Sequence, residues 1–183
     1  MKALIVFESM FGNTQKIAEA VGNGLSSQMQ VEVVEVGAAP DKLSKEVVLL
    51  VVGGPTHAFS ISRESTRREA AAQASAALVS KGRGLREWLA GIDKAPKGVS
   101  AAAFDTRIDK GHWLEVAGTA GRAIDKRLRK NGFRVAGSAQ SFIVEDVSGP
   151  LRTGELERAR LWGEELGRAF GAARAIPPEH GGG

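Results

Sequence analysis

Six consecutive apolar residues, Val47, Val48, Leu49, Leu50, Val51 and Val52, constrain this chain more than any other feature. Four of them are β-branched, and no polar residue interrupts the run. A strand with one face in water alternates apolar and polar side chains, so a continuous run describes a strand covered on both faces. Such strands belong to parallel sheets sandwiched between helices. Apolar runs at residues 3–7, 31–36 (partly alternating) and 99–104, with a split pair at 133–135 and 141–144, supply the other strands.

Helical periodicity fills the intervals. Ile17, Ala20, Val21, Gly24 and Leu25 mark one face of a helix that begins near Thr14. Leu85, Trp88, Leu89 and Ile92 mark a second, and Ala117, Ala120, Ile124 and Leu128 a third. Leu156, Ala159, Gly163, Leu166 and Phe170 mark a long last helix. Strand and helix alternate, which predicts a doubly wound, five-stranded parallel sheet in a three-layer α/β/α sandwich. The 183 residues suit one domain, assigned to residues 1–174. Residues 175–183 have no periodicity and are expected to be a disordered tail. One interval is out of proportion: Thr56 and Leu85 stand nearly thirty residues apart. Within it, residues 64–79 are Ala-rich and expected to be helical. Ordered connections of this length usually carry function.

Composition removes several classes of chemistry. There is no Cys, hence no disulfide, no thiolate-held metal and no catalytic thiol. Three His leave little for a His-rich metal site. No apolar run approaches the roughly 18 residues of a membrane span. The first apolar stretch reads as a strand and not as a signal peptide, so a cytoplasmic location is expected. The net charge of +4 invites a nucleic-acid reading. Acidic residues are interspersed, however, and no run of five like charges occurs. The densest basic stretch, Arg122, Lys126, Arg127, Arg129, Lys130 and Arg134 against Asp125, reads as a solvated helix face. A nucleic-acid partner is not expected.

In an open parallel sheet, ligands bind beyond the carboxyl ends of the strands. Three segments converge there. The first strand leads through Ser9, Met10, Phe11, Gly12, Asn13 and Thr14 into a helix. A strand–loop–helix turn points backbone N–H groups at one place with the positive helix end behind them, and Ser9, Asn13 and Thr14 add side-chain donors. The loop suits an anion, best a phosphate monoester. It lacks both the Gly-x-Gly-x-x-Gly fingerprint and the Walker Gly-Lys-Ser/Thr. By itself it serves equally well as an ordinary helix start capped by Asn13 or Thr14. The third strand ends in Gly53, Gly54, Pro55, Thr56, His57, Ala58 and Phe59, whose glycines would permit close backbone approach to a ligand. The fourth ends in Phe104, Asp105, Thr106 and Arg107, with a loop through His112 and Trp113. Hydroxyls, amides, Phe59 and Trp113 together suit a planar, phosphorylated, redox-active ligand. Gly53 and Gly54 stand where a phosphoacceptor receiver domain needs Asp, which sets that reading aside.

The other candidates have ordinary readings. Trp88 and Trp162 lie at helical spacing and read as packing groups. His57 and His112 read as polar loop residues, and Glu145 with Asp146 as a turn. Arg63, Arg67 and Arg68 read as a helix face whose position also suits a substrate lid. No catalytic residue and no metal ligand is assigned.

The Ser9–Thr14 loop after a strand resembles the phosphate loop of flavodoxins. The likeness continues in Gly54, Pro55 and Thr56, in the Asp105 loop, and in Glu145, Asp146, Val147, Ser148, Gly149, Pro150 and Leu151. It extends to about residue 172 and is greatest to flavodoxin-domain proteins of actinobacterial type. The resemblance implies a flavodoxin-like fold and non-covalent FMN. Ser9, Met10, Phe11, Gly12, Asn13 and Thr14 would then hold the 5′-phosphate. Pro55, Thr56, His57, Ala58 and Phe59 would line one side of the isoalloxazine, and Asp105, Thr106, Arg107 and the loop to Trp113 the other. The implied function is electron transfer between protein partners. The alternatives are an FMN-dependent oxidoreductase acting on a small molecule, of quinone or protoporphyrinogen type, and a flavin-free member whose site has decayed.

Three departures bear on that function. There is no Tyr, so Trp113, Phe59 or His57 would take the place of the tyrosine many flavodoxins stack on the flavin. Flavodoxins are commonly acidic, and this chain is basic. The connection after the third strand is long and carries Arg63, Arg67 and Arg68. The segment from Thr56 to Phe59 also has no Gly, so a positive φ there would cost on the order of 1 kcal/mol.

Overall fold

A computed structural model describes residues 1–57, 59–73, 78–109 and 118–172. Six strands form one parallel sheet: β1 (Lys2–Phe7), β2 (Gln30–Glu35), β3 (Val47–Pro55), β4 (Ser100–Ile108), β5 (Arg134–Val135) and β6 (Gln140–Val144). The order is β2-β1-β3-β4-β5, and β6 also pairs with β4. The split apolar pair thus fills one position in the sheet, giving the expected five-stranded, doubly wound arrangement. β5 pairs with Ser100 and Ala101, and β6 pairs with the stretch from Phe104 to Ile108.

Among the described residues there are five α-helices: α1 (Asn13–Leu25), α2 (Glu64–Gln73), α3 (Leu85–Gly91), α4 (Ala120–Lys130) and α5 (Glu155–Ala172), of which α1, α3, α4 and α5 supply the core residues packed on the sheet. Consecutive side chains of a strand point to opposite faces. Leu50 and Val52 therefore pack with Trp88, Leu89, Ile124 and Leu128 on one side. Leu49 and Val51 pack with Ile17, Val21, Leu25, Ala159 and Leu166 on the other. The unbroken apolar run of β3 is what lets a core grow on both faces. Among the described residues, no helix is long and apolar enough to cross a membrane.

Trp88 lies in the core, and Trp162, partly buried, packs against it. Trp88 is fully buried, and its indole N–H donates to the Pro40 carbonyl at 3.1 Å. Trp162 meets Phe104 edge-on at 6.2 Å between ring centroids and lies 6.1 Å from Phe142. Leu156 departs from the apolar face expected for the last helix, because it is 47% exposed. Glu155 explains this: its carboxylate turns inward and accepts the Ile143 N–H at 2.7 Å. The next residue is carried about 100° around the helix, toward water. Ala117 of the third helical pattern, residues 74–77 of the expected 64–79 helix, and the 175–183 tail lie outside the described residues; residues 78 and 79 are not helical, and the Val79 N–H bonds the Met10 carbonyl instead.

α1 and α5 touch backbone to backbone. A methyl group on Gly24 would lie 2.0 Å from the Arg160 carbonyl oxygen, and one on Gly163 would lie 2.3 Å from that of Val21. Neither neighbour is a flexible side-chain end, so a methyl forces the helices apart. Gly24→Ala is expected to destabilise the fold by about 1–3 kcal/mol through overpacking. Denaturant unfolding checks this, and a midpoint equal to wild type would show that the helix pair yields without cost.

Candidate functional site

The loop from β1 to α1 is held in shape from three sides. Gly12 takes φ 87°, a left-handed conformation that a side chain would resist. The Ser9 hydroxyl accepts the Gly12 N–H at 3.0 Å. Asn13 donates its side-chain amide to the Ser148 carbonyl at 3.0 Å, which ties the loop to the segment after β6. The Thr14 and Thr106 hydroxyls lie 2.7 Å apart, which ties it to β4. Neither Asn13 nor Thr14 caps α1, and no side chain does so from the N-cap position. The helix start is left open at the carboxyl edge of the sheet, where its N–H groups and positive end favour an anion.

Two other segments face this loop. Thr56 bridges them: its N–H donates to the Thr106 carbonyl at 2.9 Å, and its hydroxyl accepts the Ala120 N–H at 2.9 Å. His57 and Ser60 exchange both main-chain hydrogen bonds, at 2.9 and 3.0 Å, closing a tight turn. Phe59 sits in that turn at φ 63° and is half exposed. A non-glycine residue does adopt positive φ here, at a cost of about 1 kcal/mol. A cleft of about 250 Å³ lies between the three segments. Ser9, Met10, Phe11, Asn13, Thr14, Pro55, Thr56, His57, Thr106 and Arg107 line it, together with Ile108, Val144 and Val147.

Most residues picked from the sequence are therefore brought to one cleft. Asp105 is placed elsewhere. It is fully buried, and its carboxylate accepts the Gly121 N–H at 2.7 Å near the start of α4. Burial holds its carboxyl above the ordinary value, against hydrogen bonds from Thr119, the Gly121 N–H and Ser141. Ala58 and Trp113, like His112, lie outside the described residues. Gly53 and Gly54 have a different reason from ligand approach. A methyl on Gly53 would sit 2.0 Å from the Phe104 ring, and one on Gly54 would sit 2.6 Å from Leu85. These glycines make room for core side chains. Val144 and Val147 were missed, although their place at and just beyond a strand's carboxyl end is the signal that found the others.

The long connection after β3 is anchored beneath the loop by a buried carboxylate that sequence reasoning left without a role. Glu8, the residue after β1, is fully buried. It accepts a hydrogen bond from the Ser62 hydroxyl and another from the Leu85 N–H, the latter at 2.7 Å. Arg67 donates to the Ser62 hydroxyl at 3.0 Å and pairs with Glu87 at 3.1 Å. Further along, the Ser9 N–H donates to the Ser80 hydroxyl, while the Ser80 and Val79 N–H groups donate to the Ser9 and Met10 carbonyls. The connection thus pairs with the back of the anion loop. His57 is pushed below the ordinary imidazole value, first by burial and then by the Arg67 charge, so it is neutral at pH 7.

A family model described as Flavodoxin matches residues 5–163. The chain belongs to the flavodoxin family. Solved flavodoxins share its architecture. One from the domain Archaea is 19% identical, with a TM-score of 0.61 over 93% of this chain and 99% of its own. The Streptococcus pneumonia TIGR4 flavodoxin is 17% identical, with a TM-score of 0.62 over 92% of this chain and 99% of its own. Rubredoxin oxygen:oxidoreductase from Desulfovibrio gigas is 16% identical, with a TM-score of 0.60 over 96% of this chain but 37% of its own. At such identities the likeness shows the fold, which is flavodoxin-like. No curated protein sequence matches the chain. The comparisons give the family and lend no support to an actinobacterial subtype.

Burial is the first cause holding the Glu8 carboxyl above its ordinary value of 4.5; the bonds from Ser62 and Leu85 and the Arg67 charge act against it. An acid whose folded pKa is raised binds its proton more tightly in the folded state than in the unfolded state. Its contribution to stability is therefore full at low pH and falls as pH rises from about 4.5 toward the raised value. Glu8→Gln removes this titration. Its stability relative to wild type is expected to increase as pH rises through that window. Unfolding curves at a series of pH values check this, and a pH-independent difference would show that Glu8 keeps an ordinary pKa.

Proposed function

We propose that this chain binds FMN non-covalently and carries electrons between protein partners. The observation that carries the reading is the start of α1, where Gly12 at the N-cap offers no side-chain bond to the first helical N–H groups and the side chains of Ser9, Asn13 and Thr14 frame them. The donor set fits a phosphate monoester: backbone amides at a helix N-terminus, hydroxyls and an amide. The family typically binds FMN, and its solved flavodoxins share this fold. In this reading Ser9, Met10, Phe11, Gly12, Asn13 and Thr14 hold the phosphate. Pro55, Thr56, His57, Ala58 and Phe59 line one side of the isoalloxazine. Thr106 and Arg107, with Ile108, Val144 and Val147, line the other, and Trp113 keeps the role the resemblance implies. Asp105 acts from behind, fixing the start of α4 against β4.

Bound FMN supplies the redox chemistry, taking up and releasing electrons. The chain's task is to hold it, exclude water from one edge and leave another accessible. Of the described residues lining the cleft, His57 and Arg107 are the ionisable ones. The carrier reading asks of neither that it move a proton, and it places the protein in the cytoplasm, as flavodoxins usually are.

The purified protein is expected to show a flavin absorption spectrum, as isolated or after addition of FMN, with the released cofactor identified as FMN. A colourless protein that does not take up FMN overturns the reading. Turnover of NAD(P)H with a quinone in the absence of a partner protein would instead make it an enzyme. Thr14→Ala is expected to weaken FMN binding by about 1.5–3 kcal/mol, the range for a hydrogen bond to a charged group. Fluorescence titration measures this, and equal affinity refutes the phosphate contact. Arg107 adds positive charge beside the flavin, which stabilises the reduced, more negative form by about 1 kcal/mol or more at the dielectric near a surface. Arg107→Glu is expected to lower the midpoint potential of bound FMN, and an unchanged potential in a spectroelectrochemical titration would remove that role.

A further inference from the structure

Three consecutive residues between β1 and the helix start, Glu8, Ser9 and Met10, are each bonded by the long connection after β3. Glu8 accepts the Ser62 hydroxyl and, at 2.7 Å, the Leu85 N–H. Ser9 donates its N–H to the Ser80 hydroxyl at 3.0 Å, and its carbonyl accepts the Ser80 N–H at 2.8 Å. The Met10 carbonyl accepts the Val79 N–H at 3.1 Å. Ser62 lies before α2 and Leu85 begins α3, so the connection is tied beneath the anion loop at both ends. Between those ties, Val79 and Ser80 reach the back of the loop. Ser9, Met10 and Ser80 are all buried, so water does not stand in for these partners.

These bonds decide which polar groups of the loop an anion meets. A backbone carbonyl turned toward a phosphate repels it, whereas an N–H or a hydroxyl attracts it. Ser9 and Met10 line the cleft, and Val79 and Ser80 do not. The two carbonyls are therefore drawn away from the cleft by the N–H groups they accept. The Ser9 N–H is committed to Ser80, while the Ser9 hydroxyl accepts the Gly12 N–H at 3.0 Å and keeps its proton to donate. A buried N–H left without an acceptor is costly, so loss of the Ser80 hydroxyl would drive the Ser9 peptide to reorient. That movement would bring carbonyl oxygen toward the anion and carry the Ser9 hydroxyl off it.

We propose that Ser80, together with the Val79 N–H, is a positioning residue for the anion loop, keeping the Ser9 and Met10 carbonyls off a bound phosphate and the Ser9 hydroxyl on it. The proposal rests on the reading of this loop as a phosphate site. It gives the stretch of the connection before α3 a task in ligand binding, carried out from behind the loop by a residue 71 positions from Ser9. Coupling of this kind is reciprocal. A phosphate that favours the held form of the loop also strengthens the bonds that hold it.

The test titrates the full chain separately with FMN, with riboflavin, which has the same ring and no phosphate, and with inorganic phosphate. Fluorescence follows the flavins, and amide NMR shifts follow phosphate. Ser80→Ala is expected to weaken FMN and inorganic phosphate alike by about three- to tenfold, the loss of one neutral hydrogen bond, with riboflavin affinity unchanged. Ser80→Thr keeps the hydroxyl and is expected to bind both like wild type. Val79→Pro deletes the N–H that the Met10 carbonyl accepts, at an exposed position, and is expected to act in the same direction as Ser80→Ala. Inorganic phosphate is also expected to slow hydrogen exchange at the Val79 and Ser80 amides of the wild-type chain. Unchanged FMN and phosphate affinity in Ser80→Ala and Val79→Pro overturns the proposal. So does an equal loss for riboflavin, which marks a general loosening, or a loss as large in Ser80→Thr at an unchanged unfolding midpoint. Exchange that stays the same with phosphate bound overturns it as well. If FMN is not taken up but inorganic phosphate binds and Ser80→Ala weakens it, the FMN reading falls and the positioning role stands. If FMN binds Ser80→Ala as tightly as wild type, the FMN reading stands and the positioning role falls. A chain that binds neither overturns both.

Discussion

Two-sided burial of β3 is the constraint from which the rest of this molecule follows. Leu49 and Val51 need cover on one face, Leu50 and Val52 on the other, and one layer of helices cannot supply both. Parallel pairing with β1 and β4 then requires right-handed crossover connections, whose side depends on which way the chain moves along the sheet, so α1 and α5 cover one face and α3 and α4 the other. The outcome is that the loops leaving β1, β3, β4 and β6 all reach the same edge of the sheet. The cleft is a geometric by-product of how the core is closed, and the chain furnishes that edge with an open helix start and hydroxyl groups.

The same edge poses a problem that a minimal loop would not. The connection after β3 must travel from Thr56 to Leu85 without detaching from the sheet. Its anchors are polar and buried: Glu8 receives Ser62 and Leu85, and Ser80 exchanges bonds with Ser9. Burying a carboxylate costs several kcal/mol when it is unpaired, so Glu8 is tolerable because donors from two separate segments converge on it. Direction is what this arrangement provides. An apolar contact would hold the connection with little preference for register, whereas a carboxylate with two fixed donors admits few geometries. The residue immediately after Glu8 begins the anion loop, so the anchor that sets the connection also sets the loop.

The parallel, doubly wound sheet, the positions of the main helices and most of the cleft lining were legible because they follow from periodicity and from where strand ends must lie. The split pair at residues 133–135 and 141–144 was readable as two pieces, and its union in one sheet position follows from both pairing with β4. What was not legible depends on partners distant in sequence. Gly53 and Gly54 look like a ligand approach until Phe104 and Leu85 are seen to occupy the space. Asp105 looks like a site residue until its bond to the Gly121 N–H turns it toward α4. Leu156 fits the helical pattern, yet Glu155 claims the inward direction. Glu8 carried a usable signal, a carboxylate directly after the apolar residues of an inner strand, and that signal was passed over.

The distribution of charge gives the arrangement its logic. The anion loop from Ser9 to Thr14 contains no ionisable residue, so a phosphate bound there would be met by oriented amides and hydroxyls with no cation in direct contact. Neutral donors at a helix start hold an anion by geometry, and they hold it with less sensitivity to salt than a surface ion pair does. Of the described residues lining the cleft, the permanent cation is Arg107, and it stands on β4 outside the loop. The basic residues after β3 meet this loop through the anchor beneath it, where Arg67 donates to the Ser62 hydroxyl that in turn donates to Glu8.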